Sequence, residues 1–213
     1  MTQRRTVEVL LDRHGKTYAE QAEVKLRDTP SPLYRLLVLS LLLSARISAE
    51  IAVAAARELS TAGFRTPRRM ADATWQQRVD ALGRGGYRRY DERTATMLGD
   101  GADLLLERYG GDLRRLRDEA GSTRKIHSAL QAFPGIGPVG ASIFCREVQG
   151  VWPSLAPFLD DKVLDGAEKV GLPTSPSRLA HLVEAGELPR LTAGLVRAAL
   201  DGDVVRDVKE SAG

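Results

Sequence analysis

The stretch Phe133-Pro134-Gly135-Ile136-Gly137-Pro138-Val139-Gly140-Ala141 decides how this chain is read. It separates two segments of helical periodicity, residues 123–131 and 138–149. Two glycines around one apolar residue can turn one helix into another within four residues, because Gly135 and Gly137 tolerate positive φ and close backbone approach. Ile136 can then point inward and pin the turn. The second helix opens with N–H groups that have no acceptor within the helix, which makes its start an anion site. On DNA, such a site holds a phosphate without reading sequence. Pro138 lacks an N–H and so removes one donor, but its fixed φ suits the first helical position. Gly-x-Gly alone would fit any αα-hairpin. The longer apolar-Pro-Gly-Ile-Gly-x-x-x-Ala string between two good helices favours the phosphate-binding form.

Outward from the hairpin, nearly all periodicity is helical, and alternating β-branched runs are rare. Residues 33–46 are apolar almost all round, as expected of a central buried helix. Ser31 is its expected N-cap and Pro32 its first residue. Helices are expected at 6–13, 18–27, 49–61, 67–73, 74–82, 91–109, 112–119, 160–170, 177–185 and 188–200, with the last dozen residues frayed. Gly63, Gly110-Gly111 and Gly171 supply stops. The expected fold class is all-α, with ten to twelve helices.

Composition adds bounds. The 213 residues carry a formal charge of +3, compatible with a polyanionic partner but not diagnostic of one. The lone Cys145 can form no intramolecular disulfide and no four-cysteine metal or iron–sulfur site. His14, His127 and His181 are isolated, so no metal site is expected. Met1-Thr2-Gln3-Arg4-Arg5 precedes no apolar leader, and the run 36–43 is too short to span a bilayer. The expectation is a reduced, cytoplasmic protein with no membrane partner.

Residues 133–141 resemble the helix-hairpin-helix of the endonuclease III and alkylation-repair DNA glycosylases, the HhH-GPD superfamily. In that superfamily a Gly/Pro-rich loop and a catalytic aspartate follow the hairpin. Here Trp152-Pro153-Ser154-Leu155-Ala156-Pro157 and then Leu159-Asp160-Asp161-Lys162-Val163 stand in those places. Upstream, Leu42-Leu43-Ser44-Ala45-Arg46 is similar to the family's Leu-Leu-Ser-Ala-Gln segment. The resemblance runs from about residue 31 to 172 with its motifs in family order.

It implies a two-lobed fold. A helical barrel over residues 31–149 would carry the hairpin, and residues 1–30 plus 150–213 would form a second lobe, with a nucleotide pocket between them. The implied activity is base-excision repair by hydrolysis of the N-glycosidic bond of a damaged or mismatched base, on double-stranded DNA with a flipped nucleotide, by a monomer. The alternative is a non-catalytic binder of distorted DNA on the same scaffold. Two departures bear on chemistry. Val139 occupies the position where bifunctional members carry a nucleophilic lysine, so no lysine-based lyase step is expected. The tail lacks the four cysteines of the endonuclease III branch, so no iron–sulfur cluster is expected, while a monovalent cation at the hairpin is compatible.

The carboxylate would stabilise an oxocarbenium-like transition state or activate water. Asp160 follows Val139 by 21 positions, close to the family separation. In that register Val163, Ala167 and Val170 share one helix face. Asp161 competes for the role, and either residue could simply cap a helix. Arg46 stands where the family often has a gap-filling glutamine, and could equally be a surface arginine. Arg84, Tyr87 and Arg88, with Arg89 and Tyr90, form a cationic and aromatic loop that could stack on bases and hold phosphates. The plainer alternative is a solvated loop with packed tyrosines, part of it a salt-bridged helix start with Asp91, Glu92 and Arg93. The DNA contacts expected from the hairpin are Gly135, Ile136, Gly137, Val139 and Gly140.

Overall fold

The computed structural model describes residues 2–213; Met1 lies outside them. The described residues form helices and connections with no strand. In chain order the helices are α1 (Gln3–Val9), running on into a π-helical turn Leu10–His14, α2 (Tyr18–Gln21), α3 (Pro30–Leu43), α4 (Ala49–Thr61), α5 (Pro67–Asp72), α6 (Trp75–Arg84) and α7 (Asp91–Tyr109). There follow α8 (Leu113–Ala120), α9 (Thr123–Leu130), α10 (Pro138–Val148), α11 (Asp161–Lys169), α12 (Pro176–Ala180), α13 (Leu188–Leu200) and α14 (Gly202–Ala212). The all-α expectation is met, with more helices than the periodicity suggested.

The chain divides into two compact units, one of Ala19–Phe144 and one of Met1–Tyr18 with Cys145–Gly213. The dividing points differ from the expected 30/31 and 149/150. Residues 19–29 belong with the middle unit because arginines tie their backbone there: Arg35 donates to the carbonyls of Ala22 and Glu23, and Arg57 to that of Gln21. Asp28 is held by Arg117 at 2.9 Å. Past position 144, the partners of Arg146 and Gln149 are Asp160 and Phe158, in the terminal unit.

In the middle unit, α3 is buried on nearly every side, with Leu33, Leu36, Leu39 and Leu42 fully enclosed. It starts at Pro30 after the N-cap Thr29, not at Pro32 after Ser31. Ser31 Oγ donates instead to the Arg65 carbonyl, so tertiary bonding reassigns it. The helix stops at Leu43, which leaves Arg46 in the connection to α4. Ser48 caps α4, and Thr74 with Gln77 forms a reciprocal capping box on α6. Arg78 is buried without an acid and donates to the carbonyls of Met70, Ala73 and Ala95. At Gly85, a Cβ would lie 2.4 Å from Ala55 Cα, so only glycine lets α6 end there.

The terminal unit has its own core of Val7, Leu10, Val163, Ala167, Val170, Leu191, Leu195, Val208 and Ala212. The last residues are not frayed. Asp201 caps α14, whose Val208 and Ala212 are buried. Asp207 receives His14 Nε2 at 2.8 Å and Arg13 at 2.6 Å. The acids and lysine of that segment obscure an apolar stripe that only α1 and α13 complete. Conversely, α2 ends at Gln21 instead of running to 27, because Glu23 turns the chain with φ +57°. Residues 177–185 hold only the short α12 and the start of a 3-10 turn.

Candidate nucleic-acid interface and carboxylate centre

In the hairpin, α9 ends at Leu130 and the turn closes with Ile136 N–H donating to Phe133 O at 3.0 Å. Phe133 is buried and stacks on Tyr109, with ring centroids 6.4 Å apart. Ile136 is buried, as expected. Gly135 takes φ +81°, and a Cβ there would lie 2.8 Å from Met97 Sδ. The positive φ is what calls for glycine there, since the Met97 side chain can swing aside. Gly137 has ordinary φ and open space around its Cβ position, so its use is access and not strain.

The first bond of α10 runs from Ala141 N–H to Gly137 O. Among the described residues no acceptor meets the N–H of Gly137, Val139 or Gly140. Gly137 and Val139 are exposed, Val139 at 63%, whereas Gly140 is buried. A 63% exposed valine at a helix start is an open, apolar approach to unpaired donors.

Beside the turn lies a cavity of about 310 Å³, lined by Leu41, Ser44, Arg46, Tyr90, Arg93 and Gly135 among others. Ser44 Oγ donates to Leu41 O at 2.7 Å and lies 3.5 Å from Gly135 O, which holds the end of α3 against the hairpin turn. Residues 46, 87 and 135 thus reach one cavity from three distant parts of the chain. Neither Arg46 nor Arg93 has a hydrogen-bond or ion-pair partner among the described residues, so both guanidinia are available to an anion. Arg93 was not a candidate from sequence, since it reads as part of a salt-bridged helix start, and that bridge is absent among the described residues.

Tyr87 does not fit its expected role as a stacking ring on an open loop. It is 1% exposed, and burial pushes its phenol up. It is a wall of the cavity. Arg84 pairs with Glu58 at 3.2 Å and does not line the cavity, and Arg88 is exposed outside it. Arg89 stacks over the Tyr90 ring at 5.2 Å.

The two candidate aspartates differ in surroundings. Asp160 is the N-cap of α11: its Oδ1 accepts the Val163 N–H at 3.2 Å. Its Oδ2 accepts from Arg146 Nη1 at 2.8 Å, with the two side chains only 20% and 12% exposed. Asp161 is exposed in the first turn and forms no such contact among the described residues. Two residues upstream of Asp160 the backbone is clamped. Gln149, itself buried, accepts from Phe158 N–H at 2.9 Å and donates to Phe158 O at 3.3 Å. Neither Arg146 nor Gln149 was a sequence candidate, because nothing in their spacing reveals a partner across a loop.

Lys162 pairs with Asp165 at 3.6 Å on the exposed side of α11. Cys145 is fully buried and its thiol is pushed up to about 12 by that burial, which leaves it protonated and unreactive. Each histidine has a structural partner: His14 with Asp207, His127 with Ser142 and His181 with the Ser177 carbonyl.

These features define an all-helical chain with an open hairpin turn, a cationic cavity beside it, and a capped, paired aspartate. Its fold is that of endonuclease III. A non-covalent endonuclease III–DNA complex matches it at a TM-score of 0.50, with 18% identity over 92% of this chain and 86% of that one. A trapped endonuclease III–DNA covalent intermediate, an estranged-adenine complex, is similar at a TM-score of 0.49 and 17% identity over the same shares. The fold assignment rests on the first likeness. No family profile and no curated protein matches the chain. Among the described residues no helix is long and apolar enough to cross a membrane.

Proposed function

We propose that this chain is a monofunctional DNA glycosylase that hydrolyses the N-glycosidic bond of a damaged or mismatched base in double-stranded DNA. The observation that carries the reading is the meeting of Gly135, Ser44 and Arg46 at one cavity, beside a helix start with unpaired N–H groups. A phosphate is the anion such a start accepts in the course of a DNA strand. Endonuclease III, whose fold this chain shares, is described in a non-covalent complex with DNA, which agrees with that partner.

In this reading the hairpin N–H groups of Gly137 and Val139 hold the backbone, and Arg46 with Arg93 meets the strand where the nucleotide leaves the stack. Asp160 stabilises the positive charge that develops on the sugar, and water completes the reaction. Val139 offers no amine for a covalent step, so the product is an intact abasic site. The protein acts as a monomer and its place is the cytoplasm with the nucleoid.

The test is base release from a panel of lesion-bearing duplexes. Asp160→Asn is expected to abolish release and keep duplex affinity, and full activity in that variant would remove Asp160 from the chemistry. One observation favours a second reading, a non-catalytic binder of distorted DNA. The Asp160 carboxylate is already occupied by Arg146 and its own helix. That reading expects salt-weakened duplex binding and no abasic product from any lesion.

A further inference from the structure

We propose that Arg146 acts through Asp160 by masking its charge, so that this site's hold on a cationic sugar is set by Arg146 as much as by Asp160. The proposal rests on the reading of Asp160 as the carboxylate that faces the sugar. It goes beyond that reading by naming a residue that works against the carboxylate's field.

The geometry separates two jobs. Orientation of Asp160 is already provided by its cap bond to Val163 N–H and by the Gln149 clamp on Phe158. The guanidinium on Oδ2 adds little to that, and what it does add is charge. A cation 2.8 Å from the carboxylate turns a monopole into a short dipole, whose field falls off much faster with distance. With the partners only 12% and 20% exposed, solvent and salt do little to weaken the pairing. The other ionisable groups nearby do not undo it. Asp161 is exposed, Lys162 is paired with Asp165, and the Cys145 thiol beside Arg146 stays protonated. A hydrolytic site that must meet a positive sugar thus carries its own competing cation.

The experiment uses the full chain and needs no knowledge of the lesion. Two duplexes are compared by fluorescence anisotropy, identical except for one position that holds either a cationic pyrrolidine or a neutral tetrahydrofuran in place of the nucleotide. The readout is the ratio of the two dissociation constants. Arg146→Gln is expected to raise the preference for the pyrrolidine by about tenfold or more, from unit charges a few ångströms apart at an effective dielectric near 20. Arg146→Lys, which keeps the charge, should return the wild-type ratio. Should Arg146→Gln fail to melt cooperatively, Arg146→Leu tests the same charge loss with an apolar stem. An unchanged or lowered ratio in the folded, uncharged variant overturns the masking role. Asp160→Asn tells the role of Arg146 apart from that of Asp160. If the preference rises in Arg146→Gln and vanishes when Asp160→Asn is added, both stand. If it persists without the carboxylate, the reading of Asp160 fails whatever Arg146 does.

Discussion

Gly166 is the position where a single methyl group should do the most damage to the carboxylate centre. It lies inside α11, where the helix of Asp160 crosses α13, and a Cβ built there would sit 1.9 Å from Leu195 O and 2.7 Å from Leu195 C. Both are backbone atoms inside a helix, so no side chain can swing aside and the helices must move apart. By helix propensity alone, Gly166→Ala would stabilise by about 1 kcal/mol. Overpacking against rigid neighbours costs ~1–3 kcal/mol, and at this separation the upper end applies. The net loss is about 2 kcal/mol, a fall in Tm of roughly 4–8 °C for a chain of this size. Moving α11 also displaces its N-cap, so base release should fall while hairpin-dependent duplex binding is kept. The assay is a thermal melt by circular dichroism beside Gly137→Ala, a control with nothing within 4 Å of its Cβ position. A variant that melts at or above the wild-type temperature would refute the close crossing of α11 and α13.

Three further outcomes follow from the same geometry. Gly137→Asp sets a negative charge at the unpaired N–H groups of α10, and should weaken duplex binding about tenfold or more at low salt, less at high salt, measured by anisotropy. Arg78→Met leaves the carbonyls of Met70, Ala73 and Ala95 without their shared donor, at a cost of about 3 kcal/mol in a urea melt. Asp207 is held below the usual carboxylate range by His14 and then Arg13. A depressed folded value means that the anchor of α14 is fully present above the ordinary aspartate pKa near 3.9 and is lost as pH falls through the lower folded one. Hydrogen exchange in α14 should therefore rise below about pH 4, and Asp207→Asn should show the raised exchange at neutral pH.

Much of the fold was legible because helices announce themselves locally. The boundaries of α4, α7 and α13 agree with the periodicity to the residue, while Thr74 and Asp112, expected as first helical residues, are the N-caps one position before α6 and α8. Two of the misses share a cause, a long-range contact. Ser31 has the chemistry of an N-cap, but bonds Arg65 O across 34 positions. Tyr87 stands in a glycine- and arginine-rich loop, yet the chain folds over it.

By itself the sequence determined the helical class, the glycine turn at 133–141 and the two aspartates as candidates, since each is a matter of residue type and short spacing. Only the tertiary structure decided that Arg46, Arg93 and Gly135 share a cavity, and that Asp160 and not Asp161 is the half-buried cap, closed by Arg146 from another helix. Those are pairings over tens of residues. Charge and hydrogen-bond partners are set by which helices pack together, and that depends on the whole apolar surface, not on any local run of residues.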